Sequence, residues 1–160
     1  GIQMVTVHGR TRNQLYQGKA NWETIRSVKD VIKIPLIVNG DISTPQDAKE
    51  AMRVSGADGV MIGRAAQGKP WLLHQIIEYI KNGKVPDAPG LAEIRSLIKE
   101  HYTHILDYYG TQRGVALARK HIGWYCAGIP NFNLFRSEIN KITNPDEVLS
   151  KIDDLFLQAA

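Results

Sequence analysis

The sequence predicts an α/β fold followed by an all-α segment. Apolar runs at residues 2–7, 34–38 and 58–62 are typical of buried parallel strands, and helical segments separate them. After residue 90 no strand pattern remains, and apolar residues recur at helical spacing. The pattern therefore indicates the last three βα units of a TIM (β/α)8 barrel, followed by a small C-terminal helical bundle. Because such a barrel needs eight units, we expect the other strands to lie upstream.

Capping signals give the boundaries of the predicted helices in the first part. Asn21 is a good N-cap for a helix that runs to about residue 31. Thr44, which a proline follows, marks the start of a second helix, and Gly56 marks its end. A third helix is predicted over residues 71–81, and it completes the third βα unit.

A turn-rich segment divides the chain into two predicted domains. Residues 84–90 contain two prolines and end in glycine, as is typical of a linker. We assign residues 1–83 to the barrel domain and residues 91–160 to the helical domain. Within the helical domain, Gly110 separates two predicted helices and Asn144 caps the last one.

Composition limits the class of protein. The chain has 160 residues, 43% hydrophobic and 22% charged, which suits one ordinary domain or two small ones. No apolar run reaches the roughly 18 residues that would span a bilayer, so we expect no membrane insertion. The single cysteine, Cys126, excludes an internal disulfide and suits a reducing compartment. We therefore expect a cytoplasmic protein, and we expect no metal site.

Two glycine turns predict an anion-binding site. The segment Asn39-Gly40-Asp41 closes the second apolar run, and Gly63-Arg64 closes the third. These barrels commonly bind phosphate at the ends of two successive strands, and glycine lets a phosphate approach backbone N–H groups. Arg64 adds a planar cation that can hold two phosphate oxygens. We assign the phosphate to a flavin; the alternative is that both glycines are ordinary loop residues.

The polar residues of the first turn have separate expected roles. A carboxylate beside phosphate is unfavourable, so we expect Asp41 to offer its backbone N–H and to turn its side chain away, to cap the loop or bind Arg64. Asn39 both donates and accepts, which suits it to fasten the strand end or a ribityl hydroxyl. His8 ends the first strand on the same edge, where a histidine is either a structural hydrogen-bonding group or part of the site.

One helix of the C-terminal part is predicted to have a basic and aromatic face. At helical spacing, Arg113, Lys120 and Trp124 share a narrow sector opposite the apolar face that contains Cys126. Cations attract a phosphodiester backbone and an indole ring can stack on a base, so this face predicts RNA binding. The alternative is that Trp124 packs on a neighbouring helix and the charges are merely solvated.

Four motifs, in this order and spread along the whole chain, resemble the bacterial tRNA-dihydrouridine synthases, most closely their B-type branch. The motifs are His8-Gly9-Arg10-Thr11, residues 38–42 (Val-Asn-Gly-Asp-Ile), residues 56–66 from Gly56 to Ala66, and Ala118-Arg119-Lys120-His121 with Trp124-Tyr125. The resemblance implies the C-terminal half of an FMN enzyme that reduces the C5–C6 double bond of a uridine in tRNA by hydride from FMN, with NADPH as electron source.

The resemblance also implies roles for individual residues. It matches FMN phosphate contacts to Asn39, Gly40, Asp41, Gly63 and Arg64, and it places His8 near the flavin ring. Contacts with tRNA are expected from residues of both predicted domains, namely Arg10, Arg113, Arg119, Lys120, His121 and Trp124. The family's acid cysteine belongs to the upstream half, so no catalytic residue is expected in this chain, and Cys126 is expected to be a small buried hydrophobe.

Further expectations concern activity and assembly. We expect this piece alone to be inactive, the full-length enzyme to be monomeric, and the piece to self-associate through exposed barrel strands. Two other functions stay open: an FMN-binding or phosphate-binding TIM-barrel oxidoreductase acting on a small metabolite, and a non-enzymatic RNA-binding module. The basic and aromatic window at residues 108–136 argues against the metabolite enzyme, and flavin affinity would argue against the RNA-binding module.

Overall fold

Parallel strands alternate with helices in the first part of the chain. The computed structural model describes residues 1–159, which divide into two units: residues 1–66 with 70–87, and residues 67–69 with 88–159. The first unit contains strands β1 (Val5–His8), β2 (Leu36–Asn39) and β3 (Gly59–Met61) and helices α1 (Arg26–Lys29), α2 (Pro45–Ser55) and α3 (Trp71–Asn82). No helix among residues 1–159 has the length and apolar character that crossing a membrane requires.

The three strands form one parallel sheet in the order β1-β2-β3. His8 pairs with Asn39 across the first ladder, and Asn39 pairs with Met61 across the second. Because the strands are parallel and in this register, their carboxyl ends meet at one edge of the sheet. The prediction of a mixed α/β chain with parallel strands is therefore confirmed.

Strand β1 begins later than the apolar pattern predicts. Its first pair joins Val5 to Leu36, and the Val5 N–H donates to the Pro35 carbonyl over 3.0 Å. Pro35 has no N–H of its own, so it cannot extend the ladder. Ile2 and Met4 consequently lie outside the strand and are mostly exposed.

The first predicted helix is shorter than expected, and the other two match. A 3-10 turn (Glu23–Ile25) leads into the single turn of α1, although the Asn21 side chain accepts from the Thr24 N–H over 3.0 Å as a cap would. The β-branched residues that follow and the Ile-Pro pair before β2 disfavour further helix. Helix α2 has the predicted Thr44 cap and ends at Gly56, whose φ is 68°.

The core of the first unit lies between the sheet and its helices. Leu36 and Val38 of β2 are completely buried, as are Ala48 and Ala51 of α2. Small residues on α2 let this helix approach the central strand closely, and α3 adds Ile76. Truncating a fully buried leucine such as Leu36 to alanine typically costs about 2–5 kcal/mol.

Four helices make up most of the second unit: α4 (Leu91–Tyr109), α5 (Thr111–Tyr125), α6 (Phe132–Ile139) and α7 (Pro145–Ala159). Gly110, with a φ of 75°, separates α4 from α5, and the Asn144 side chain accepts from backbone N–H groups of the first turn of α7. The helices share one core that includes Ile98, Ile122 and Ile152.

Candidate anion-binding site and charged helix surface

The carboxyl ends of the strands enclose a cleft of about 540 Å³ in the first unit. Its walls combine the three strand ends with one loop side chain and the start of the segment that follows β3. The lining residues are His8, Tyr16, Asn39, Gly40, Asp41, Ile42, Ser43, Met61, Gly63, Arg64 and Ala65. All six residues that the sequence assigns to the flavin site are therefore in this one cleft.

Asn39 fastens the three strand ends to one another. Its Oδ1 atom lies 2.7 Å from His8 Nδ1, and its Nδ2 atom donates to the Met61 carbonyl over 2.7 Å. The Asn39 side chain thus links β2 to both neighbouring strands, in addition to the backbone hydrogen bonds of the sheet. His8 is thereby held at the edge of the cleft, with Nδ1 engaged.

Gly40 occupies a position that only glycine can fill without strain. Its φ is 116°, and a Cβ atom there would lie 2.8 Å from the Ala20 Cβ and 3.0 Å from His8 Cε1. The Trp22 Nε1 donates to the Gly40 carbonyl over 2.7 Å. The turn is therefore held by Trp22 and lies close to Ala20, and both residues belong to the loop that follows β1.

Asp41 has a left-handed backbone with a φ of 52° and a carboxylate bound by several donors. Both terminal nitrogens of Arg10 donate to it, with Nη1 lying 2.9 Å from Oδ1, and the Ala20 N–H donates over 2.9 Å. Hydrogen bonding from Arg10 is the main cause that holds the pKa of the Asp41 carboxyl below its ordinary value. The side chain thus fastens the loop, while the turn itself lines the cleft.

Gly63 and Arg64 leave both space and charge beside the cleft. A Cβ atom at Gly63 would meet no atom within 4 Å other than those of Gly63 itself and its two neighbours in the chain. The Arg64 side chain is 62% exposed; its Nη2 lies 3.5 Å from Asp41 Oδ1, and its Cζ lies 4.4 Å from the centroid of the Tyr16 ring. The guanidinium is positioned by these weak contacts and still has donors free for an anion.

Arg10 is placed differently from the other predicted site residues. Its side chain is only 3% exposed, and besides Asp41 it donates to the Gln17 and Gly18 carbonyls over 3.2 and 2.7 Å. It does not line the cleft described above. Sequence reasoning also missed Tyr16 and Trp22, which lie in a loop without periodicity; only their aromatic character in a polar segment could have marked them.

The predicted basic face of α5 is present in the second unit. Arg113 and Lys120 are exposed, and each lies over an aromatic ring: Arg113 Cζ is 5.5 Å from the Tyr109 centroid, and Lys120 Nζ is 5.0 Å from the Trp124 centroid. Tyr108, which is 81% exposed, continues this surface. Each cation of this surface is therefore paired with an aromatic ring, an arrangement that suits a phosphate backbone with accessible bases.

Two predicted tRNA contacts lie at the margins of that face. Arg119 is half-buried and donates from Nη2 to the Ile142 carbonyl over 2.9 Å. The His121 ring contacts the Trp124 ring edge-on at 5.1 Å and the His101 ring at 4.9 Å. Burial lowers the pKa of both histidines, and nearby positive charge lowers it further.

Gly68, which belongs to the second unit, lies directly against the backbone of Trp124. Its φ is 70°, and a Cβ atom there would lie 2.4 Å from the Trp124 carbonyl carbon.

Cys126, two residues after Trp124, is completely buried, and burial raises the pKa of its thiol to about 12. It is therefore a protonated, inert thiol at ordinary pH. Residues 1–159 contain no cluster of three or more side chains suited to hold a metal ion.

Comparison with known proteins decides the family. The sequence profile of the family Dihydrouridine synthase (Dus) matches residues 1–160. The chain belongs to the dihydrouridine synthase family. The resemblance stated from the motifs is thereby confirmed.

Individual relatives agree with this assignment. A probable tRNA-dihydrouridine synthase of Rickettsia conorii is 54% identical over 156 residues, which are 98% of this chain and 47% of that protein. A tRNA-dihydrouridine synthase B of Pseudomonas aeruginosa is 40% identical over 158 residues, covering 99% of this chain and 48% of that protein. This family member thus spans about half the length of the curated relatives it matches.

Proposed function

We propose that this chain is part of a tRNA-dihydrouridine synthase, which reduces the C5–C6 double bond of a uridine in tRNA with FMN as cofactor and NADPH as electron source. Residues 1–83 would belong to the TIM-barrel domain that binds FMN, residues 84–90 to a linker, and residues 91–160 to a helical domain that binds tRNA. The names of the relatives support the reaction, and the cleft at the strand ends supports the cofactor.

The residues of the cleft fit a flavin phosphate. The open space beside Gly63 is a cradle that a side chain would fill, and the exposed guanidinium of Arg64 lies at its edge. Asn39, Gly40 and Asp41 would complete the phosphate end, and hydrogen bonds within the protein already hold their turn in place. This combination of space, donors and positive charge is the observation that carries the proposal.

His8 is the cleft residue proposed for the flavin ring. Bound FMN would supply the hydride chemistry, and the protein would hold and orient the cofactor. The contact between His8 and Asn39 fixes the imidazole at the strand end, which suits a side chain that orients a ring. The acid that protonates the uracil carbon is expected from a cysteine outside this chain, so residues 1–160 alone are proposed to be inactive.

The surface formed by Tyr108, Tyr109, Arg113, Lys120 and Trp124 is proposed to contact tRNA. Its cations would bind phosphates and its rings would stack on unpaired bases. Arg119 and His121 would act at the margin of this surface, since each is engaged within the helical unit. The Arg10 side chain is buried against Asp41, which favours a role inside the protein. Direct contact of Arg10 with tRNA is the second of its two proposed roles.

The test uses the full-length protein, purified and inspected for the absorption spectrum of bound flavin. We expect FMN to co-purify, and we expect dihydrouridine to form in tRNA transcribed without modifications when NADPH is supplied. Arg64→Ala should lower FMN affinity, whereas Lys141→Ala, which removes an exposed cation that does not line the cleft, is the control. Absence of flavin affinity in the wild type would contradict the proposal. Turnover by residues 1–160 alone would contradict the expectation that the acid cysteine lies outside this chain.

A further inference from the structure

A carboxylate lies at the edge of the proposed phosphate site, where it should repel the ligand. Asp41 lines the cleft, and its Oδ1 atom lies 3.5 Å from the guanidinium of Arg64. If Asp41 were paired with Arg64 alone, the two charges would cancel and no net charge would remain for an anion. The site therefore needs a second cation to neutralise Asp41.

Arg10 meets this need from within the protein. Its side chain is 3% exposed, and both terminal nitrogens donate to the Asp41 carboxylate. Its other donors hold the Gln17 and Gly18 carbonyls, so Arg10 also closes the loop that carries Tyr16. Arg64, in contrast, is 62% exposed and lies against the Tyr16 ring. One guanidinium is thus bound to Asp41 inside the protein, and the other is left facing solvent.

We propose that Arg10 and Asp41 are positioning residues that keep Arg64 available for the phosphate, so that the site selects FMN over riboflavin. This inference rests on the proposed function, because it concerns the phosphate end of the cofactor. Arg10, Asp41 and Arg64 together carry one net positive charge. Without Arg10 the net charge is zero, and Arg64 is drawn to the unneutralised carboxylate.

Riboflavin separates this role from a merely structural one. It has the same ring and ribityl chain as FMN but lacks the phosphate. A general loosening of the cleft would weaken both flavins equally, whereas loss of the positive charge weakens FMN alone. The ratio of the two affinities is therefore the quantity to measure.

The experiment measures FMN and riboflavin affinities of the full-length protein by quenching of flavin fluorescence. For Arg10→Met we expect FMN affinity to fall about 30-fold, the scale set by one unit charge in a site of intermediate dielectric. Riboflavin affinity should change less than about threefold. The control is Arg12→Met, which removes the same charge from an exposed neighbour and should leave the ratio unchanged.

Two further variants keep the test decisive if Arg10→Met is unstable. Arg10→Lys keeps a cation beside Asp41 and should retain most of the preference for FMN. The double variant Arg10→Met with Asp41→Asn again carries one net positive charge, on Arg64, and should recover the wild-type ratio. Thermal unfolding of each variant shows whether it is folded under the assay conditions.

Each outcome of these titrations either supports or overturns the inference. A selective loss of FMN affinity in Arg10→Met, with recovery in the double variant, supports the inference. Equal losses of both flavins, or no recovery in the double variant, would overturn it while leaving the proposed function intact. Failure of the wild type to bind either flavin would overturn the proposed function and this inference with it.

Discussion

Replacement of Gly63 or Gly40 by alanine separates ligand binding from folding, because the same added methyl group meets different surroundings. At Gly63, which lines the cleft, the methyl would have no atom within 4 Å other than those of Gly63 itself and its two neighbours in the chain. Its φ lies outside the left-handed region, so alanine adopts it without strain. We therefore expect the free energy of unfolding of Gly63→Ala to stay within about 0.5 kcal/mol of the wild type.

The effect of Gly63→Ala on FMN follows from the space that it fills. A methyl group there would keep the phosphate from approaching the backbone, at the cost of at least one charge-assisted hydrogen bond. Such a bond contributes about 2 kcal/mol, which corresponds to a loss of affinity of about 30-fold.

Gly40→Ala is the matched variant and, unlike Gly63→Ala, should lower the stability of the fold. Its φ of 116° is costly for alanine, and its Cβ would lie 2.8 Å from the Ala20 Cβ. Backbone strain and overpacking together should cost about 3 kcal/mol, a large share of the stability of a small domain.

Urea unfolding and FMN titration of the full-length protein measure both effects. Wild-type FMN affinity in Gly63→Ala would show that phosphate does not bind at this turn. Wild-type stability in Gly40→Ala would show that the turn geometry is not as described.

Three further predictions address charge, RNA binding and pH. Arg64→Lys keeps the charge but not the planar fork, so FMN affinity should fall about tenfold in flavin titrations while urea unfolding is unchanged. Lys120→Ala should reduce tRNA affinity and lower the slope of its logarithm against salt by about one, whereas Trp124→Ala should reduce affinity without changing that slope. His101 and His121 have lowered pKa values in the folded protein, so the unfolded chain binds more protons as the pH falls below 6.5. Stability should therefore decrease from pH 6.5 downward in thermal unfolding, and His121→Gln should reduce that decrease; an unchanged pH dependence would contradict it.

Local sequence signals predicted most of the regular structure. Helix α2 is an example, since the Thr44 cap, the proline that follows and Gly56 all lie within or next to the helix. The predicted length of helix α1 was wrong. The β-branched residues that follow it and the Ile-Pro pair before β2 outweigh the capping signal of Asn21. Where a short segment decides its own structure, the sequence is sufficient.

The margins of the basic helix face show how far periodicity can be used. At 100° per residue, Arg119 lies about 120° from Arg113, closer to the apolar sector than to the basic one. Its half-buried position and its bond to the Ile142 carbonyl follow from that angle. Counting the cations between residues 108 and 136 does not separate Arg119 from Arg113 and Lys120, whereas the angle of each residue around the helix does.

The cleft combines predictable and unpredictable parts for one physical reason. Parallel strands in register bring His8, Asn39 and Gly63 to one edge, and strand patterns in the sequence are enough to predict that. The role of Arg10 depends instead on the path of an irregular loop, whose carbonyls at Gln17 and Gly18 bind the guanidinium. Nothing in the sequence fixes that path, because no periodicity or turn signal specifies where a loop closes. A cation two residues after a strand end could face the ligand or the protein, and here the carboxylate of Asp41 provides the partner that turns it inward.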